Sequence, residues 1–367
     1  MLQIDRKSIA SLVEWFRKNQ RDLPWRRDPH PYKVWVAEVM SQQTQMNTLL
    51  PYFHRFMERF PSVGHLAQSS IEEVFVAWTG LGYYSRARNL HRAAKTVTED
   101  LKGRFPTSFG DWLELSGVGP YTAAAVTSQC FDSPHAVWDG NVLRVASRFF
   151  AESQAYSQGF KTAVSRALEK HMSRVPSSQL NQAVMELGAL VCTPVKPDCD
   201  NCPLRRKCRA FADKNVQLYP PAKIKRREHV VHAVVSVHLK KTADDCFVLL
   251  KKRDSGLWYS GMWDFPTELG GVQNPQITLL RLKDKKNDLG TIALKPIKHS
   301  ITHHRISLLP RVKVEVGLNQ PTEDSEVKWF NVEQAFGDRP QIPVATTARK
   351  VMRAVSRWLD QVKEKEN

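Results

Sequence analysis

Apolar residues recur every three to four positions through roughly the first two hundred residues of the chain. The segment 8–16 places its apolar side chains on one helical face, and the segment 180–191 repeats that pattern. Ser70 followed by Glu73 is the signature of a capping box before an apolar run. Because glycine and proline separate these segments, the pattern predicts an all-α region.

The last third of the chain shows strand patterns instead. Residues 229–239 are rich in valine, residues 246–250 form a short apolar run, and residues 311–316 alternate between apolar and polar side chains. Residues 347–362 have the spacing of one amphipathic helix. The pattern predicts a second domain of mixed α and β structure.

A basic segment joins the two patterns. Residues 205–227 contain nine lysines and arginines against one acid, Asp213, and the Pro220-Pro221 pair cannot continue a helix. We interpret residues 211–228 as a domain linker that follows phosphates, with a solvated tether as the alternative.

Composition and charge narrow the function class. Hydrophobic residues make up 42% and charged residues 25% of 367 residues, which is typical of a soluble globular chain of two or three domains. The formal net charge of +17 favours a polyanionic partner such as nucleic acid, although a solvated basic surface stays possible. No apolar run reaches the ~18 residues of a membrane helix, and the N-terminus lacks a signal-peptide core. We therefore expect a cytoplasmic protein with no membrane partner.

Four of the six cysteines form a cluster with the spacing C-x6-C-x2-C-x5-C. They are Cys192, Cys199, Cys202 and Cys208. In a cytosolic chain such a group indicates a metal site rather than disulfides. Zinc sites usually have two close pairs, whereas this run has one close pair and wider gaps, which favours a 4Fe–4S cluster held by four thiolates. Zinc remains the alternative on spacing alone.

A glycine pair joins two helical patterns in the segment LSGVGPYTA, residues 115–123. Gly117 and Gly119 would let backbone N–H groups approach an anion at a helix N-terminus. Asp139 follows 20 residues after Gly119. This segment resembles the helix-hairpin-helix of the endonuclease III superfamily of DNA glycosylases, and Asp139 and the cysteine cluster match that superfamily's essential aspartate and iron–sulfur loop.

Two further segments narrow the resemblance to the adenine DNA glycosylase (MutY) family. They are VWVAEVMSQQTQ, residues 34–45, and WTGLGYYSRARNL, residues 78–90. The resemblance covers essentially the whole chain and is densest up to residue 208. It implies a multidomain fold in which an all-α helix-hairpin-helix glycosylase core with an iron–sulfur loop precedes an α+β domain similar to Nudix (MutT) hydrolases.

The resemblance also implies domain bounds. A six-helix barrel with the hairpin would occupy residues 29–135, and residues 1–28 with 136–210 would form the cluster module. The Nudix-like lesion-recognition domain would occupy residues 229–367.

The implied activity is removal of adenine mispaired with 8-oxoguanine or guanine in double-stranded DNA. Glu38 lies among apolar neighbours that would raise its pKa, and by family match it is the general acid. By the same match Asp139 stabilises the developing sugar cation and helps activate water, and Asn141 orients that aspartate. The alternatives without a catalytic role are a helix-surface carboxylate for Glu38 and a helix N-cap for Asp139.

Tyr121 occupies the position at which bifunctional relatives have a nucleophilic lysine. Because a phenol cannot form a Schiff base with the sugar, we expect a monofunctional enzyme that leaves an abasic site. Tyr121 would assist near the departing base, and core packing at the hairpin is its alternative role.

The DNA contacts implied by the family begin with Gln43 and Tyr83, which would enter the duplex beside the oxidised guanine. Thr44 and Leu81 would lie nearby.

The family recognises 8-oxoguanine through a Phe-Ser-His loop, and the matching segment here is HSITH, residues 299–303. Thr302 and His303 keep a hydroxyl and an imidazole, while Ile301 replaces the aromatic ring. Residues 270–300 contain no glutamate, so we expect no pyrophosphate hydrolysis by this domain.

Two other functions stay open from the residues. One is an endonuclease III-like pyrimidine glycosylase with lyase activity, and the other is a non-catalytic iron–sulfur module that binds DNA. The expected partner of the leading hypothesis is double-stranded DNA with A:8-oxoguanine or A:G mispairs. We expect a monomer, associated with the nucleoid if the source is bacterial.

Overall fold

The structure is a computed structural model, and it describes residues 2–223, 228–242, 244–254, 258–269, 291–302, 304–316 and 326–366. The chain divides into two compact units. Unit 1 consists of Met1–Gln68 and Ser85–Lys223, and unit 2 consists of Ser69–Tyr84 and Ile224–Asn367.

The regular elements in the described part of unit 1 are helical. The α-helices are α1 Arg6–Asn19, α2 Pro24–Arg27, α3 Pro31–Ser41, α4 Met46–Arg59, α5 Val63–Gln68, α7 Ser85–Glu99, α8 Phe109–Leu113, α9 Pro120–Phe131, α10 Gly140–Phe150, α11 Gln158–Glu169, α12 Ser177–Leu190 and α13 Arg209–Ala212.

Helix α3 runs through the interior of unit 1, since every residue from Val34 to Met40 is buried. A helix that is apolar on all sides is expected to be buried in this way. Glu38 is the one charged residue within that buried stretch. The sequence thus places a carboxyl where water has little access.

The helix α6, Ile71–Ala77, lies in unit 2 and begins as its sequence predicts. The Ser70 backbone N–H donates to the Glu73 carboxylate over 3.0 Å, and the Glu73 N–H donates to the Ser70 hydroxyl over 3.2 Å. The predicted capping box is confirmed.

In the part that the structure describes, the rest of unit 2 contains an eight-stranded sheet and two helices. The strands are β1 His229–Lys241, β2 Cys246–Lys252, β3 Trp263–Asp264, β4 Thr267–Leu269, β5 Thr291–Ala293, β6 Ile297–Ile301, β7 His304–Val316 and β8 Val327–Asn331. The helices that follow are α14 Val332–Phe336 and α15 Thr346–Glu366.

The long strands β1 and β7 pair in parallel along their whole length, from His229 opposite His304 to Lys241 opposite Val316. The other pairs of strands are antiparallel, with β2 and β4 pairing with β1, and β5 and β6 pairing with β7. Valines of β1 pack in the core of unit 2 with Val351 and Val355 of α15. The density of valine in this segment had predicted the strand. The described residues confirm the predicted order of an all-α region followed by an α+β domain.

The predicted basic linker spans the boundary between the two units. Residues 211–223 belong to unit 1, in which the Arg148 guanidinium donates to the Tyr219 carbonyl oxygen over 2.9 Å and the Tyr156 hydroxyl donates to the Pro221 carbonyl oxygen over 3.0 Å. Residues 224–227 lie outside the described residues. The domain bounds derived from the resemblance stay a prediction.

Among the helices of the described residues, none has both the length and the apolar character needed to cross a membrane.

Candidate active site

A cavity of about 920 Å³ in unit 1 brings the predicted catalytic residues together. The sequence alone left open whether Glu38 and Asp139 share a pocket, and both line this one. Its walls come from α3, α9, α12 and the start of α10. The sequence-predicted residues that line it are Glu38, Gln43, Thr44, Gly117, Gly119, Tyr121, Asp139 and Asn141.

Glu38 is 7% exposed and has two hydrogen-bond donors. The Tyr121 hydroxyl donates to Oε2 over 2.7 Å, and the Gln129 amide donates to Oε1 over 3.1 Å. Burial raises the pKa of Glu38, the two hydrogen bonds lower it, and the nearby Asp139 carboxylate raises it again. The net shift is upward, so the carboxyl retains its proton at a higher pH than an ordinary glutamate does.

Tyr121 lies in the first turn of α9, and its hydroxyl also contacts the Met185 sulfur at 3.6 Å. Burial, and then the carboxyl groups of Glu38 and Asp139, raise the pKa of Tyr121 well above its ordinary value. The side chain therefore stays a neutral phenol that donates a hydrogen bond. Tyr121 also packs against the core of unit 1, so the core packing of the alternative interpretation and the hydrogen bond to Glu38 occur together.

Asp139 is the N-cap of α10, which is the non-catalytic role that the sequence also allowed for this residue. The Val142 N–H donates to Oδ1 over 2.7 Å, and the Asn141 amide donates to Oδ2 over 2.8 Å. The side chain nevertheless lines the cavity. Asp139 can therefore cap the helix and face the pocket at the same time. The cap fixes one orientation of the carboxylate at a helix N-terminus, where negative charge is favoured.

Arg144 connects this carboxylate with the cysteine loop, a role that the sequence analysis missed. Its Nη2 donates to the Asn141 amide oxygen over 2.8 Å and to the Gly188 carbonyl oxygen over 2.7 Å. Its Nε donates to the Cys192 carbonyl oxygen over 2.7 Å. Arg144 therefore fixes the orientation of the Asn141 amide. Because this amide donates to Asp139, it in turn fixes the orientation of the Asp139 carboxylate.

A buried ion-pair triad forms another part of the cavity lining. Glu186 is 1% exposed on its side chain, and Arg21 and Arg26 each make two hydrogen bonds to its carboxylate, with distances from 2.8 to 3.1 Å. Burial alone would raise the pKa of Glu186, but the two guanidinium groups lower it to about 2. The cavity therefore contains a permanently charged carboxylate beside the acid Glu38. The helical pattern predicted burial on α12 but not this pair, since the partners lie about 160 positions away.

The two hairpin glycines differ in what a side chain at each position would meet. Gly117 has a φ of +76°, and a Cβ there would lie 2.5 Å from the Asn89 side chain. Gly119 has a φ of −99° as the N-cap of α9, and a Cβ there would meet no atom within 4 Å. The space above Gly119 thus stays open in front of the helix, which is where an anion can approach.

Both residues predicted to enter the duplex have left-handed backbone conformations. Gln43 of unit 1 has a φ of +60° and an exposed side chain, and Thr44 beside it lines the cavity. Tyr83 of unit 2 has a φ of +47° and is 45% exposed, whereas Leu81 is buried. Such conformations are uncommon for residues other than glycine and occur often at functional sites.

The four clustered cysteines line a second, smaller cavity of about 30 Å³, also in unit 1. Arg148, 2% exposed, lies at this cavity with its Nη1 3.4 Å from the Cys192 sulfur. Burial, with smaller contributions from the other three cysteines, raises the pKa of Cys202 to about 12. Four thiolates this close together need a positively charged centre, so the donor set fits an iron–sulfur cluster. Among the described residues, no group of three or more His, Cys, Asp or Glu side chains is arranged to hold a single metal ion.

The predicted lesion-recognition segment begins on β6 in unit 2, where residues 299–301 end the strand, and Thr302 follows it. Thr302 is exposed with a φ of +52°, and its hydroxyl donates to the Ile301 carbonyl oxygen over 2.7 Å. Ile301 packs against the core of unit 2. His303, predicted beside Thr302 as a DNA contact, lies outside the described residues, as does most of the glutamate-free segment 270–300.

Comparisons with known proteins identify the family of this chain. Residues 36–172 match the model of the HhH-GPD superfamily of base excision DNA repair proteins. The adenine DNA glycosylase of Buchnera aphidicola subsp. Schizaphis graminum is 30% identical over 304 residues, which cover 82% of this chain and 85% of that protein. The chain belongs to the adenine DNA glycosylase family. It is therefore a DNA glycosylase of base excision repair, and DNA is its partner.

Two other similarities agree with this glycosylase family. The human adenine DNA glycosylase is 43% identical over 214 residues, covering 55% of this chain and 39% of that protein. The solved structure of a thermostable thymine-DNA glycosylase covers 56% of this chain and 95% of its own, with a TM-score of 0.51 and 24% identity. The latter similarity shows the fold of the helical part.

The glycosylase cavity also includes other polar residues that the sequence analysis did not single out, among them Gln129 and Lys161. Gln129 binds Glu38, and Lys161 of α11 lines the same cavity. Gln129 lies on α9 eight positions after Tyr121, which is the same helical face, and this spacing was the available signal. Nothing in the local sequence of Lys161 indicates the pocket.

Proposed function

We propose that this glycosylase removes adenine mispaired with 8-oxoguanine, or with guanine, by hydrolysing the N-glycosidic bond and leaving an abasic site. The observation that supports the proposal most is the shared cavity of Glu38 and Asp139, in which the two carboxyls have unlike surroundings. Glu38 is buried among apolar side chains, and Asp139 is held by two donors at a helix N-terminus. Two carboxyls in unlike surroundings suit the acid and the anion of glycosidic cleavage.

Glu38 supplies the proton. Its raised pKa lets the carboxyl keep its proton at a higher pH than an ordinary glutamate does, and both carboxyl oxygens accept hydrogen bonds that fix the plane of the group. Transfer of the proton to a ring nitrogen of adenine lets the bond between the sugar C1′ and the base break, with the bonding electron pair leaving on the base. Glu38 is then a carboxylate, and the Tyr121 and Gln129 donors stabilise it.

Asp139 stabilises the sugar. Its carboxylate is oriented by the Val142 N–H and the Asn141 amide before the substrate arrives, so little reorganisation is needed when positive charge develops at C1′. Water then adds to C1′ and gives its proton to Asp139, which completes hydrolysis. Asn141 and Arg144 act through Asp139 as positioning residues.

Tyr121 supports a monofunctional reaction. Its phenol occupies the place of the relatives' lysine and is engaged with Glu38, and a phenol cannot form a Schiff base. Lys161 is the one lysine among the described lining residues, and it is the group that a strand-cleaving side reaction would use. The endonuclease III-like alternative therefore predicts that strand cleavage depends on Lys161.

Adenine must leave the base stack to reach a cavity of this kind. Gln43 and Tyr83, both exposed on left-handed backbone, enter the duplex beside the oxidised guanine, with Thr44 and Leu81 nearby. The hairpin N–H groups near Gly117 and Gly119 bind a backbone phosphate. Thr302 and His303 contact the 8-oxoguanine, and the packing of Ile301 into unit 2 leaves the hydroxyl and the imidazole as the recognising groups of that segment.

One 4Fe–4S cluster is held by Cys192, Cys199, Cys202 and Cys208. When bound, the cluster supplies positive charge that compensates four thiolates and orders the loop between them. Arg148 supports this loop by donating to the carbonyl oxygens of Thr193 and Pro194 over 2.7 and 3.0 Å. We expect the enzyme to act as a monomer.

Product analysis on a duplex with one adenine opposite 8-oxoguanine tests the reaction. The expected result is free adenine and a strand that breaks at the abasic site only after treatment with alkali. Reduction by borohydride during turnover should trap no covalent complex with DNA. Cleavage without alkali at a comparable rate, with a trapped complex that disappears in Lys161→Gln, would establish the lyase alternative. No release of any base with intact DNA binding would support the non-catalytic module.

A further inference from the structure

Tyr259 of unit 2 contacts two segments that are proposed to meet the base opposite the adenine. One is the segment after α6, residues 78–84, which contains Tyr83, and the other is residues 299–302 at the end of β6. Residues 69–84 lie within the helical part of the sequence, but they pack with the sheet in unit 2. Tyr259 has no part in the reaction proposed above.

The hydroxyl of Tyr259 connects it with β6, since it lies 2.9 Å from the His299 Nε2. Burial raises the pKa of Tyr259 to about 12, whereas burial and then the nearby Lys350 ammonium lower the pKa of His299 to about 4. Near neutral pH both side chains are uncharged, so we assign the phenol as the donor and the imidazole nitrogen as the acceptor.

The His299 ring depends on this bond. The side chain is 8% exposed, and its Nδ1 makes no hydrogen bond within the part of the chain that the structure describes. The Tyr259 ring also lies beside the imidazole, with 6.4 Å between ring centroids. Because His299 precedes Thr302 by three residues, a change at Tyr259 reaches the proposed recognition segment through this ring.

The ring of Tyr259 connects it with the segment that contains Tyr83. Tyr84 meets this ring edge to face, with 6.2 Å between ring centroids and 70° between ring planes. Tyr84 is buried and makes a similar contact with Phe75 of α6 at 5.6 Å. Edge-to-face contacts favour one relative orientation of two rings. The backbone at Tyr83, the neighbour of Tyr84, is therefore tied to Tyr259.

An ion pair also joins the segment 69–84 to the sheet. The Lys252 Nζ of β2 lies 3.0 Å from the Glu72 carboxylate of α6. Both side chains are more than one third exposed, and ion pairs of that kind contribute little free energy. The buried contact between Tyr84 and Tyr259 is thus the firmer of these two links.

The backbone conformation singles out the same positions. Among the described residues of unit 2 other than glycine, positive φ angles occur at Tyr83, Tyr259 and Thr302, with values of +47°, +62° and +52°. Such conformations cost free energy and are concentrated at functional sites. Two of the three residues are proposed DNA contacts, and the third is the one that connects their segments.

We propose that Tyr259 is a positioning residue that sets the preference for 8-oxoguanine over guanine opposite the adenine. It holds the segment of Tyr83 and the segment 299–302 in one arrangement, so that both reach the same base. This role rests on the proposed function, in which these segments contact that base. Without Tyr259 the two segments move independently, and the contacts that distinguish 8-oxoguanine form less often.

Single-turnover adenine release and duplex affinity, each measured with A:8-oxoguanine and with A:G, test this role. The preference is the ratio between the two duplexes of the rate divided by Kd. Tyr259→Phe removes the hydroxyl and keeps the ring, so the preference should fall about fivefold, as expected for one neutral hydrogen bond. Tyr259→Leu removes the ring as well and should lower the preference further.

Variants of His299 show whether Tyr259 acts through this ring. His299→Leu should lower the preference as Tyr259→Phe does, and the double variant should lose no more than either single variant. His299→Gln keeps an acceptor in place of Nε2 and should retain most of the preference. Additive losses in the double variant would mean that Tyr259 does not act through His299, and they would overturn the proposal.

The matched control is Tyr32→Phe, because Tyr32 is a buried tyrosine of unit 1 whose hydroxyl donates to the Phe60 carbonyl oxygen over 2.8 Å. It should keep the wild-type preference, and urea unfolding of each variant shows whether it is folded. The proposal is overturned if Tyr259→Phe keeps the wild-type preference, or loses no more of it than Tyr32→Phe does. Equal losses on both duplexes would show a structural role alone and would also overturn it.

Failure of the proposed function has a different signature. If the wild type releases no adenine from either duplex, the base-excision proposal is wrong, and the ratio of the two Kd values in the same variants still decides the role of Tyr259. If the wild type releases adenine but does not prefer 8-oxoguanine, the role of Tyr259 is wrong and the excision reaction stands.

Discussion

The Tyr121 hydroxyl donates a hydrogen bond of 2.7 Å to the Glu38 carboxyl, and this bond adjusts the acidity of the proposed proton donor. The bond lowers the pKa of Glu38 against the upward shift caused by burial. In the proposed mechanism excision needs protonated Glu38, so we expect the rate to fall as the pH rises through the pKa of that group. Tyr121→Phe removes a donor to the carboxylate and leaves the burial, so the pKa rises further and the alkaline decline moves to higher pH.

Single-turnover rates of adenine release, measured against pH, check this displacement. Gln129→Leu removes the other donor and should move the decline in the same direction. An alkaline limb that stays in place in both variants, or moves to lower pH, would mean that another group titrates there.

Arg144 is expected to affect catalysis without touching the substrate. Arg144→Gln leaves the Asn141 amide oxygen without its guanidinium donor, and it removes the shorter of the two arginine hydrogen bonds to the Cys192 carbonyl oxygen. The Asp139 carboxylate then loses part of its orientation, and the turnover rate should fall roughly 10- to 100-fold, as is common when supporting partners of a site are removed. Affinity for the mispaired duplex, measured by fluorescence anisotropy, should change little.

Arg174→Gln provides the control for that prediction, because Arg174 is an exposed arginine of the same unit that does not line the cavity. Equal turnover in Arg144→Gln and Arg174→Gln would show that Asp139 does not depend on this connection.

The two hairpin glycines should respond differently to alanine. Gly117→Ala forces a Cβ onto Asn89 at a φ of +76° and should lower the free energy of unfolding by about 1–3 kcal/mol. Gly119→Ala meets no atom within 4 Å and should leave that free energy almost unchanged, but its methyl group obstructs the anion site and weakens DNA binding. Urea unfolding and duplex titration separate the two effects. Similar losses of stability in both variants would contradict this account of the hairpin.

Iron and sulfide analysis of protein purified without oxygen tests the cluster. About four irons and four sulfides per chain are expected, with a visible absorption band that is lost when iron is chelated. Cys199→Ser should lower both contents, whereas Cys246→Ser should keep them, because Cys246 lies on β2 in unit 2. One zinc per chain, without sulfide, would favour the zinc alternative.

The local sequence was sufficient to predict those features that depend on a single helix or strand. The apolar neighbours of Glu38 predicted its burial and the upward shift of its pKa, and the valines after residue 228 predicted the strand β1. Asp139 before a helical pattern indicated an N-cap, which the structure contains. These features depend on helix and strand periodicity and on the desolvation of neighbouring groups, so they can be derived without a tertiary structure.

Contacts between distant helices could not be derived in this way. Glu186 lies within the segment predicted as helix α12, but its pairing with Arg21 and Arg26 depends on how α12 packs beside the N-terminal segment. Arg144 has an ordinary position on α10, and its partners at Gly188 and Cys192 lie more than forty residues away. The family resemblance named the two carboxyls, while their convergence on one cavity required the coordinates.

The single-turnover rate of adenine release from a duplex with one A:8-oxoguanine pair, compared between the wild type and Glu38→Gln, tests the central claim most directly. An amide can accept the hydrogen bond from Tyr121 but cannot give up a proton as an acid. The rate should therefore fall by about 100-fold or more, while the affinity for the duplex is kept. Adenine release by Glu38→Gln at the wild-type rate would contradict the assignment of the proton donor, and with it the proposed division of roles between Glu38 and Asp139.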